Sequence, residues 1–315
     1  MVETKEVYAY IAAPSRSGST ILAILLDTHP RITSVGELRP AYVPGRPGRP
    51  TCSCGKEIEE CDFWRKVEHI LQSSRQSYFQ SHSDLDWSSL WSRIEFYPLS
   101  SRPLDRARKR LFAFFSDKRA MAHHWSALHL SVAQAAMQAQ ATQIFVDGSK
   151  QFYFLSHLAT SPKTRELFHF RVIHLVRDVR GVVASMIRHV EPLERLRAVK
   201  RIADYWVRNH RVVERLCQND LAPSEYLLVH YGRLCKDPCK ELRRISDFFC
   251  IEYDFKIRDI QKTDYHVHGN RVRKVGLSDI QEDHRWEQEL SVQEVELIER
   301  VAGALNRKYH EMAYV

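Results

Sequence analysis

The stretch VYAYIAAPSRSGST, residues 7–20, decides the fold of this chain. Residues 7–12 are an apolar run, and an apolar-rich stretch from Ile21 to Leu26 follows the loop, so the pattern predicts strand, loop and helix. Backbone N–H groups at a helix N-terminus, together with serine and threonine hydroxyls, bind phosphate-like anions. Gly18 allows the main chain to approach such an anion closely. We therefore expect an anion site formed by Ser15, Arg16, Ser17, Gly18, Ser19 and Thr20.

This loop differs from the nucleotide-triphosphate loop G-x-x-x-x-G-K-[ST] at two positions. Ala13 stands in place of the first glycine, and Ser19 stands in place of the lysine. A triphosphate site needs that lysine and a Mg²⁺ ion for the β- and γ-phosphates. The cation here is Arg16, two residues before Gly18. A P-loop kinase or NTPase is therefore kept only as an alternative function.

A second segment follows the same strand-to-helix pattern. Residues 170–176 are strongly apolar and lead into Arg177-Asp-Val-Arg-Gly-Val-Val-Ala-Ser185, whose second half has helical spacing of apolar residues. Arg177 is expected at the end of the strand and Ser185 about two turns into the helix. Both side chains are then able to reach one anion.

The two segments together resemble the sulfotransferases that use 3′-phosphoadenosine 5′-phosphosulfate (PAPS). The sequence Arg16-Ser17-Gly18-Ser19-Thr20 is closest to the branch carrying Arg-Ser-Gly-[ST]-Thr, which includes tyrosylprotein sulfotransferases and many bacterial enzymes. The resemblance implies that residues 15–20 hold the 5′-phosphosulfate of PAPS, and that Arg177 and Ser185 hold its 3′-phosphate. It also implies a P-loop-like sulfotransferase fold of the α/β class, a central parallel sheet flanked by helices with a helical insertion.

The general base implied by the resemblance is Glu37. The segment from Asp27 to Arg39 is similar to the stretch of the tyrosylprotein branch that ends in Gly-Glu with a catalytic glutamate, and Arg39 would line the acceptor site. One alternative is a structural loop glutamate paired with Arg39. Cytosolic small-molecule sulfotransferases use a histidine base, so a histidine of the insertion is a second alternative, with three candidates: His123, His124 and His129.

Two cations are predicted to stabilise charge during transfer. Arg16 is placed to bind the bridging oxygen as negative charge accumulates there. Lys150, in the segment from Val146 to Lys150, resembles the family's lysine that contacts the transferring group, although a surface lysine is the alternative. Asp147 in the same segment invites comparison with the Walker-B carboxylate of an ATPase.

Two later elements also resemble the family. Residues 266–273 are similar to the Gly-Asn-x-x-Arg element that closes over the donor nucleotide, which implies donor-binding roles for Gly269, Asn270, Arg271 and Arg273. Residues 231–238 are similar to Tyr-Glu-x-Leu-x-x-Asp-Pro, but Gly232 replaces the glutamate. We expect Tyr231 to pack a structural corner.

The seven cysteines are an odd set without a recognisable secretory signal, which favours reduced thiols. Cys52, Cys54 and Cys61 supply at most three zinc ligands, a fourth ligand is not evident, and paired Cys-x-x-Cys units are missing. A structural loop is the favoured interpretation, with metal binding left open. No metal is predicted at the catalytic site.

Composition is compatible with these assignments. The 315 residues are 44% hydrophobic, which suits one domain over residues 1–315, with an acceptor-side insertion over about 45–141. The net charge of +8 suits a polyanionic donor such as PAPS. Two basic stretches, at 106–110 and 195–215, are interpreted as solvated helix faces, and no nucleic-acid module accompanies them. Targeting signals and long apolar runs are not recognisable, so a cytoplasmic location is expected.

Strands alternating with helices predict a parallel sheet with ligands beyond the carboxyl ends of its strands. Strands are predicted at 7–13, 31–35, 143–146, 170–176 and 225–230. A helix-rich stretch is predicted from about 61 to 141. Individual helices are predicted at 18–28, 120–141, 152–159, 179–189, 193–217, 237–250 and 292–306. The acceptor (small molecule, carbohydrate, lipid or peptide) and the oligomeric state are not identified, and a non-catalytic nucleotide- or polyanion-binding module on this fold is a third hypothesis.

Overall fold

Strands and helices alternate along the chain in the computed structural model, which describes residues 5–38, 51–73, 118–257, 265–267 and 280–314. The strands are β1 (Val7–Ala12), β2 (Ile32–Gly36), β3 (Ile144–Asp147), β4 (His169–Val176) and β5 (Tyr226–His230). The first helices are α1 (Ser19–Asp27), α2 (Asp62–Ser73), α3 (Lys118–Gln140), α4 (Phe152–Thr160), α5 (Pro162–Leu167) and α6 (Val179–Ile187). The later helices are α7 (Arg195–Asn219), α8 (Tyr231–Lys236), α9 (Pro238–Phe249), α10 (Trp286–Glu289) and α11 (Val292–Tyr314).

The strands of this part of the chain form one parallel sheet in the order β2-β3-β1-β4-β5. Val7 of β1 lies opposite Ile144 of β3 on one side and His169 of β4 on the other. The predicted central parallel sheet flanked by helices is therefore confirmed. Because the strands are parallel, their carboxyl ends meet at one edge of the sheet, where α/β folds bind ligands.

Strand β1 is buried on both faces, which explains its continuous apolar sequence. Tyr8 and Tyr10 pack into a cluster with α2, α3 and α4, whereas Ala9 and Ile11 pack against α1 and α9 on the opposite face. Successive strand residues point to opposite faces, so small side chains face α1 and aromatic rings face the other layer. Burial of each large side chain contributes about 1.5–3 kcal/mol. The buried strand β1 therefore fixes the position at which the following loop begins.

A third apolar cluster joins α6, α7 and α11 behind the end of β4. Fully buried Trp206 of α7 donates its indole N–H to the carbonyl of Arg177 at 3.1 Å. Asn306 of α11 accepts the N–H of Val179 at 3.1 Å and donates to the Asp178 carboxylate at 3.3 Å. These bonds satisfy groups at the start of α6 that the helix itself leaves unpaired. They fix the backbone from which the Arg177 side chain projects.

Four helices differ from the sequence prediction. The short helices α5, α8 and α10 were not predicted, since each has at most six residues and too little sequence for a periodic signal. Helix α11 continues to Tyr314, eight residues beyond the predicted end at 306. Across the described residues, no helix combines the length and the apolar content that crossing a membrane would require.

A buried histidine pair gives the fold a predictable acid sensitivity. His174 Nε2 of β4 lies 2.7 Å from His210 Nδ1 of α7, and both side chains are fully buried. Burial lowers the pKa of His174 from 6.5 to about 3 and that of His210 well below its ordinary value. A depressed histidine pKa contributes stability above the unfolded value of 6.5, and this contribution is lost as the pH falls towards the folded value.

We expect the free energy of unfolding to fall by about 2–3 kcal/mol between pH 7 and pH 4 through His174 alone. Urea unfolding at both pH values measures the change. A His174→Gln variant should show a shallower pH dependence than the unmodified chain. The matched control is His169→Gln, because His169 is an exposed histidine of the same strand. Equal pH dependence in His174→Gln and the unmodified chain would contradict the assignment.

Candidate active site

The loop between β1 and α1 has the geometry of an anion site. Arg16 has φ 67° and Gly18 has φ 89°, so the chain turns through two left-handed residues before α1 begins. No side-chain oxygen caps the start of α1. The Ser17 side chain is fully buried, and its hydroxyl has no hydrogen-bond partner among the described residues. An anion bound at this helix N-terminus would satisfy such groups, so the predicted phosphate-binding residues fit the group proposed for them.

Gly18 is required by packing as well as by backbone conformation. A Cβ atom at Gly18 would lie 2.3 Å from ring carbons of Tyr231, which is closer than such contacts ever come. Tyr231 is the first residue of α8, directly after β5, and its side chain is buried. The tyrosine predicted to pack a corner thus packs beneath the anion loop.

Arg177 lies at the end of β4 and contacts this loop. Its Nη1 donates to the carbonyl of Arg16 at 2.9 Å, and its guanidinium lies 4.9 Å from the centre of the Tyr231 ring. Nη2 is buried and lies 3.4 Å from an Asp283 carboxylate oxygen. A hydrogen bond from Arg285, reinforced by the charge of Arg177, holds the pKa of Asp283 well below its usual range. The cation is thus ordered beside the loop with a carboxylate at its edge.

Ser185 lies two turns into α6 and is half-buried, as the sequence predicts. Gly181 separates it from the strand, and a Cβ atom there would lie 3.1 Å from the Nε of Arg177. The small residue therefore leaves room for the guanidinium over the first turn of α6.

Glu37 and Lys150 form an ion pair at the same edge of the sheet. Lys150 Nζ lies 2.6 Å from Glu37 Oε1, and each side chain is 9% exposed. Glu37 follows β2 and Lys150 follows β3, so neighbouring parallel strands bring the two residues together. Lys150 has φ 58°, a conformation that costs energy outside glycine and that clusters at functional sites. The structure thus pairs two of the three residues that the sequence assigns to catalysis.

Asp147 is a buried structural centre for this pair. Its carboxylate accepts hydrogen bonds from the Tyr8 hydroxyl at 2.6 Å and from the Ser149 N–H at 2.8 Å. It also accepts from the Ser149 hydroxyl, which in turn accepts the Leu38 N–H at 3.0 Å. Ser149 therefore joins the end of β2 to the end of β3 beside Lys150. The donors around Asp147 are protein groups, which is unlike the metal-facing carboxylate of an ATPase.

Of the three candidate histidines in the insertion, the structure describes the side chain of His129. His129 is buried, its Nδ1 lies 2.9 Å from Asp147 Oδ2, and its ring stacks on Trp125 at 3.5 Å. This histidine is buried against the Asp147 carboxylate beneath the Glu37–Lys150 pair. Nothing is described of the His123 and His124 side chains.

Tyr205 is a candidate site residue that the sequence prediction missed. Its hydroxyl accepts the Ser15 N–H at 3.3 Å, which places α7 beside the anion loop. Arg201 and Asn209, one turn away on either side, carry buried nitrogens without partners among the described residues. The signal in the sequence was the i, i+4 spacing of these three polar residues within a helix that also carries a buried apolar face.

Most basic residues of α7 are ion-paired, in agreement with a solvated helix face. The pairs are Arg195 with Glu294, Arg197 with Glu194, Lys200 with Asp204, and Arg211 with Glu214. The basic stretch at 106–110 lies outside the described residues. The same is true of Arg39, Gly269, Asn270, Arg271 and Arg273, so their predicted roles stay predictions.

The model of the Sulfotransferase family matches residues 9–255, and the chain belongs to this family. The resemblance found in the sequence is thereby confirmed.

Two curated relatives are putative protein-tyrosine sulfotransferases of nematodes. The one from Caenorhabditis elegans is 30% identical over 95 residues, 29% of this chain and 36% of the relative. The one from Caenorhabditis briggsae is 29% identical over 83 residues, 26% of this chain and 30% of the relative. The match spans about a third of the length of each relative.

Solved sulfotransferase structures are also similar to this chain. The sulfotransferase domain from the curacin biosynthetic pathway is 17% identical, with a TM-score of 0.49 over 96% of this chain and 97% of that one. Sulfotransferase STF9 from Mycobacterium avium is 14% identical, with a TM-score of 0.47 over 98% of this chain and 77% of that one.

Proposed function

We propose that this chain transfers a sulfonate group from PAPS to a hydroxyl or amine of an acceptor. The observation that carries the proposal is the meeting of three features at one edge of the sheet. The anion loop follows β1, Arg177 follows β4, and the Glu37–Lys150 pair follows β2 and β3. These strands are neighbours in the sheet, so one elongated ligand is able to contact all three features.

The anion loop and Arg177 supply sites for two separate phosphate groups of one donor. In this proposal, Ser17 and the N–H groups of residues 15–20 bind the 5′-phosphosulfate. Arg177 and Ser185 bind the 3′-phosphate that distinguishes PAPS from ordinary adenine nucleotides. Charge-assisted hydrogen bonds to phosphate are the strong class of such bonds. Residues 269–273 are proposed to complete the nucleotide site.

The transfer itself is an in-line displacement at sulfur. The acceptor oxygen or nitrogen forms a bond to sulfur while the bond from sulfur to the bridging phosphate oxygen breaks. The acceptor proton passes to the Glu37 carboxylate, and 3′-phosphoadenosine 5′-phosphate leaves with the bond electrons. Arg16 and the loop N–H groups stabilise the charge on the departing oxygen, and Lys150 stabilises the sulfonate.

Lys150 has a second proposed role before the donor binds. Its ammonium group holds the Glu37 carboxylate in an almost dry environment, where a lone charge would be costly. The pair holds the carboxylate in one orientation, as a general base requires. The fixed backbone from Gly148 to Gln151 supports this geometry, because the Gln151 N–H donates to the Tyr10 hydroxyl at 2.7 Å.

Acceptor specificity is proposed to reside in the insertion over about 45–141, which would form the acceptor side of a single domain. The nematode relatives are named as protein-tyrosine sulfotransferases, so a peptide tyrosine is the first acceptor to test. Carbohydrate, lipid and small-molecule hydroxyls or amines form the remaining panel.

Donor specificity is tested by isothermal titration calorimetry. We expect 3′-phosphoadenosine 5′-phosphate to bind about 10–100-fold tighter than adenosine 5′-phosphate, because the 3′-phosphate adds charge-assisted hydrogen bonds. An Arg177→Met variant should lose most of this preference. Arg197→Met is the matched control, because its side chain is 82% exposed on the adjacent helix α7. Tighter binding of ATP, or a requirement for Mg²⁺, would favour the kinase or NTPase alternative and overturn the proposal.

A further inference from the structure

Four potential metal ligands converge at one point outside the proposed catalytic site. The thiols of Cys52, Cys54 and Cys61 and one imidazole nitrogen of His266 all lie within 4.8 Å of one another. The three cysteines lie in one loop before α2, while His266 is 205 residues beyond Cys61. The sequence pattern supplied three of these ligands, and the fold supplies the fourth.

The distances match tetrahedral coordination of zinc. Cys54 Sγ lies 3.7 Å from Cys61 Sγ, and His266 Nδ1 lies 3.4 Å from Cys52 Sγ and 3.3 Å from Cys61 Sγ. Zinc bound to sulfur at about 2.3 Å and to nitrogen at about 2.0 Å places neighbouring sulfurs about 3.8 Å apart, and sulfur and nitrogen about 3.5 Å apart. Three of the six distances between ligand atoms thus agree with tetrahedral zinc coordination, and the other three lie within 4.8 Å.

Ordinary hydrogen bonding does not explain this arrangement. A histidine Nδ1 atom carries either one proton or one lone pair, so it forms a single strong hydrogen bond. Nδ1 of His266 nevertheless faces two sulfurs at nearly equal distance. The cysteines are free thiols, and the 3.7 Å between the sulfurs of Cys54 and Cys61 is far outside the disulfide bond length of about 2.05 Å.

The surrounding loop is built to hold the ligands in place. Gly55 has φ 91°, and its N–H donates to the Cys52 carbonyl at 3.1 Å, which closes a tight turn from Cys52 to Gly55 that includes Cys54. Thr51 and Glu57 close the loop as an antiparallel bridge. The imidazole of His266 stacks on Phe63 of α2 with ring centres 4.6 Å apart.

We propose that Cys52, Cys54, Cys61 and His266 bind one structural Zn²⁺ ion. Three soft thiolates with one imidazole, four protein ligands and a largely buried position are typical of closed structural zinc sites rather than of catalytic ones. The ion would join the loop before α2 to the segment at 265–267.

The test is the zinc content of the full chain purified under reducing conditions without chelator. We expect about one zinc per chain, released when a mercurial reagent titrates the thiols and detected with a chromogenic chelator. This measurement needs no variant, so it stands even if a substituted chain fails to fold. Cobalt(II) exchanged into the site should show the visible absorption of tetrahedral thiolate coordination.

Variants assign the ligands. Cys54→Ser and His266→Ala should each lower zinc content severalfold and lower the thermal unfolding midpoint. The exposed residues Cys239 and His169 give matched controls, since Cys239→Ser and His169→Ala should retain the metal. A chain with seven titratable thiols and less than about 0.1 zinc, or a Cys54–Cys61 disulfide, would overturn the proposal. Zinc content is independent of the donor's identity, so this test and the calorimetry fail separately.

Discussion

Replacement of Glu37 by glutamine is expected to lower the turnover of sulfonate transfer by about 10²–10⁴-fold. Glutamine has the size of glutamate, and its amide oxygen is still able to accept the hydrogen bond from Lys150, which lies 2.6 Å away. The variant therefore keeps the shape of the site and loses the ability to take a proton. Affinity for 3′-phosphoadenosine 5′-phosphate should change by less than about threefold, because Glu37 does not bind the nucleotide in the proposed mechanism.

Transfer is measured with radiolabelled PAPS on a tyrosine peptide panel and on fractionated extract of the host. Single-turnover rates separate the chemical step from product release. Full activity in Glu37→Gln would contradict the assignment and would move the base to a histidine of the insertion. His129 is a poor candidate in that case, because its imidazole is buried against Asp147.

Lys150→Met distinguishes the two proposed roles of Lys150. The comparison uses a double variant that carries both Glu37→Gln and Lys150→Met. If Lys150 only orients Glu37, this double variant should be no slower than Glu37→Gln alone. If Lys150 also stabilises the sulfonate, the double variant should be slower than either single variant. Lys163→Met is a matched control, because that lysine is 58% exposed and pairs with Glu166 on α5.

The strands of the sheet were predictable because their signals are local. The predicted strands at 143–146 and 225–230 each differ from the observed bounds by one residue at either end at most. Apolar runs and flanking turns carry this information. These apolar runs do not specify the order of the strands in the sheet, since every parallel strand buried on both faces has the same kind of sequence.

The chemistry of the site was predictable by residue type, but its pairings were not. Glu37 was expected to pair, if at all, with Arg39 two residues away, whereas the structure pairs it with Lys150 across a neighbouring strand. His266 could not be assigned to the cysteine loop for the same reason. Contacts between residues far apart in sequence follow from how the elements pack, which the local pattern does not specify.

Gly18→Ala is expected to lower donor affinity by about 100-fold or more and to destabilise the fold by about 2–4 kcal/mol. One part of the cost is the left-handed backbone at φ 89°, which alanine adopts unfavourably. The other part is the clash of the new methyl group with the Tyr231 ring, 2.3 Å away in the unchanged structure. Relief of the clash must move either the anion loop or the tyrosine on which Arg177 lies. Calorimetry with 3′-phosphoadenosine 5′-phosphate and urea unfolding measure the two effects.

Gly55→Ala, studied with zinc present, separates the cost of the left-handed backbone from the cost of the clash with Tyr231. Gly55 has φ 91°, yet nothing lies within 4 Å of the position that its Cβ would take. Its replacement should therefore cost only the backbone term of about 1 kcal/mol and leave donor affinity unchanged. A Gly18→Ala, Tyr231→Leu double variant should recover part of the stability, because the ring is gone. Its donor affinity should stay low, since the loop keeps its strained backbone and Arg177 loses its aromatic support. Equal stability and equal affinity in Gly18→Ala and Gly55→Ala would show that contact with Tyr231 does not shape the loop.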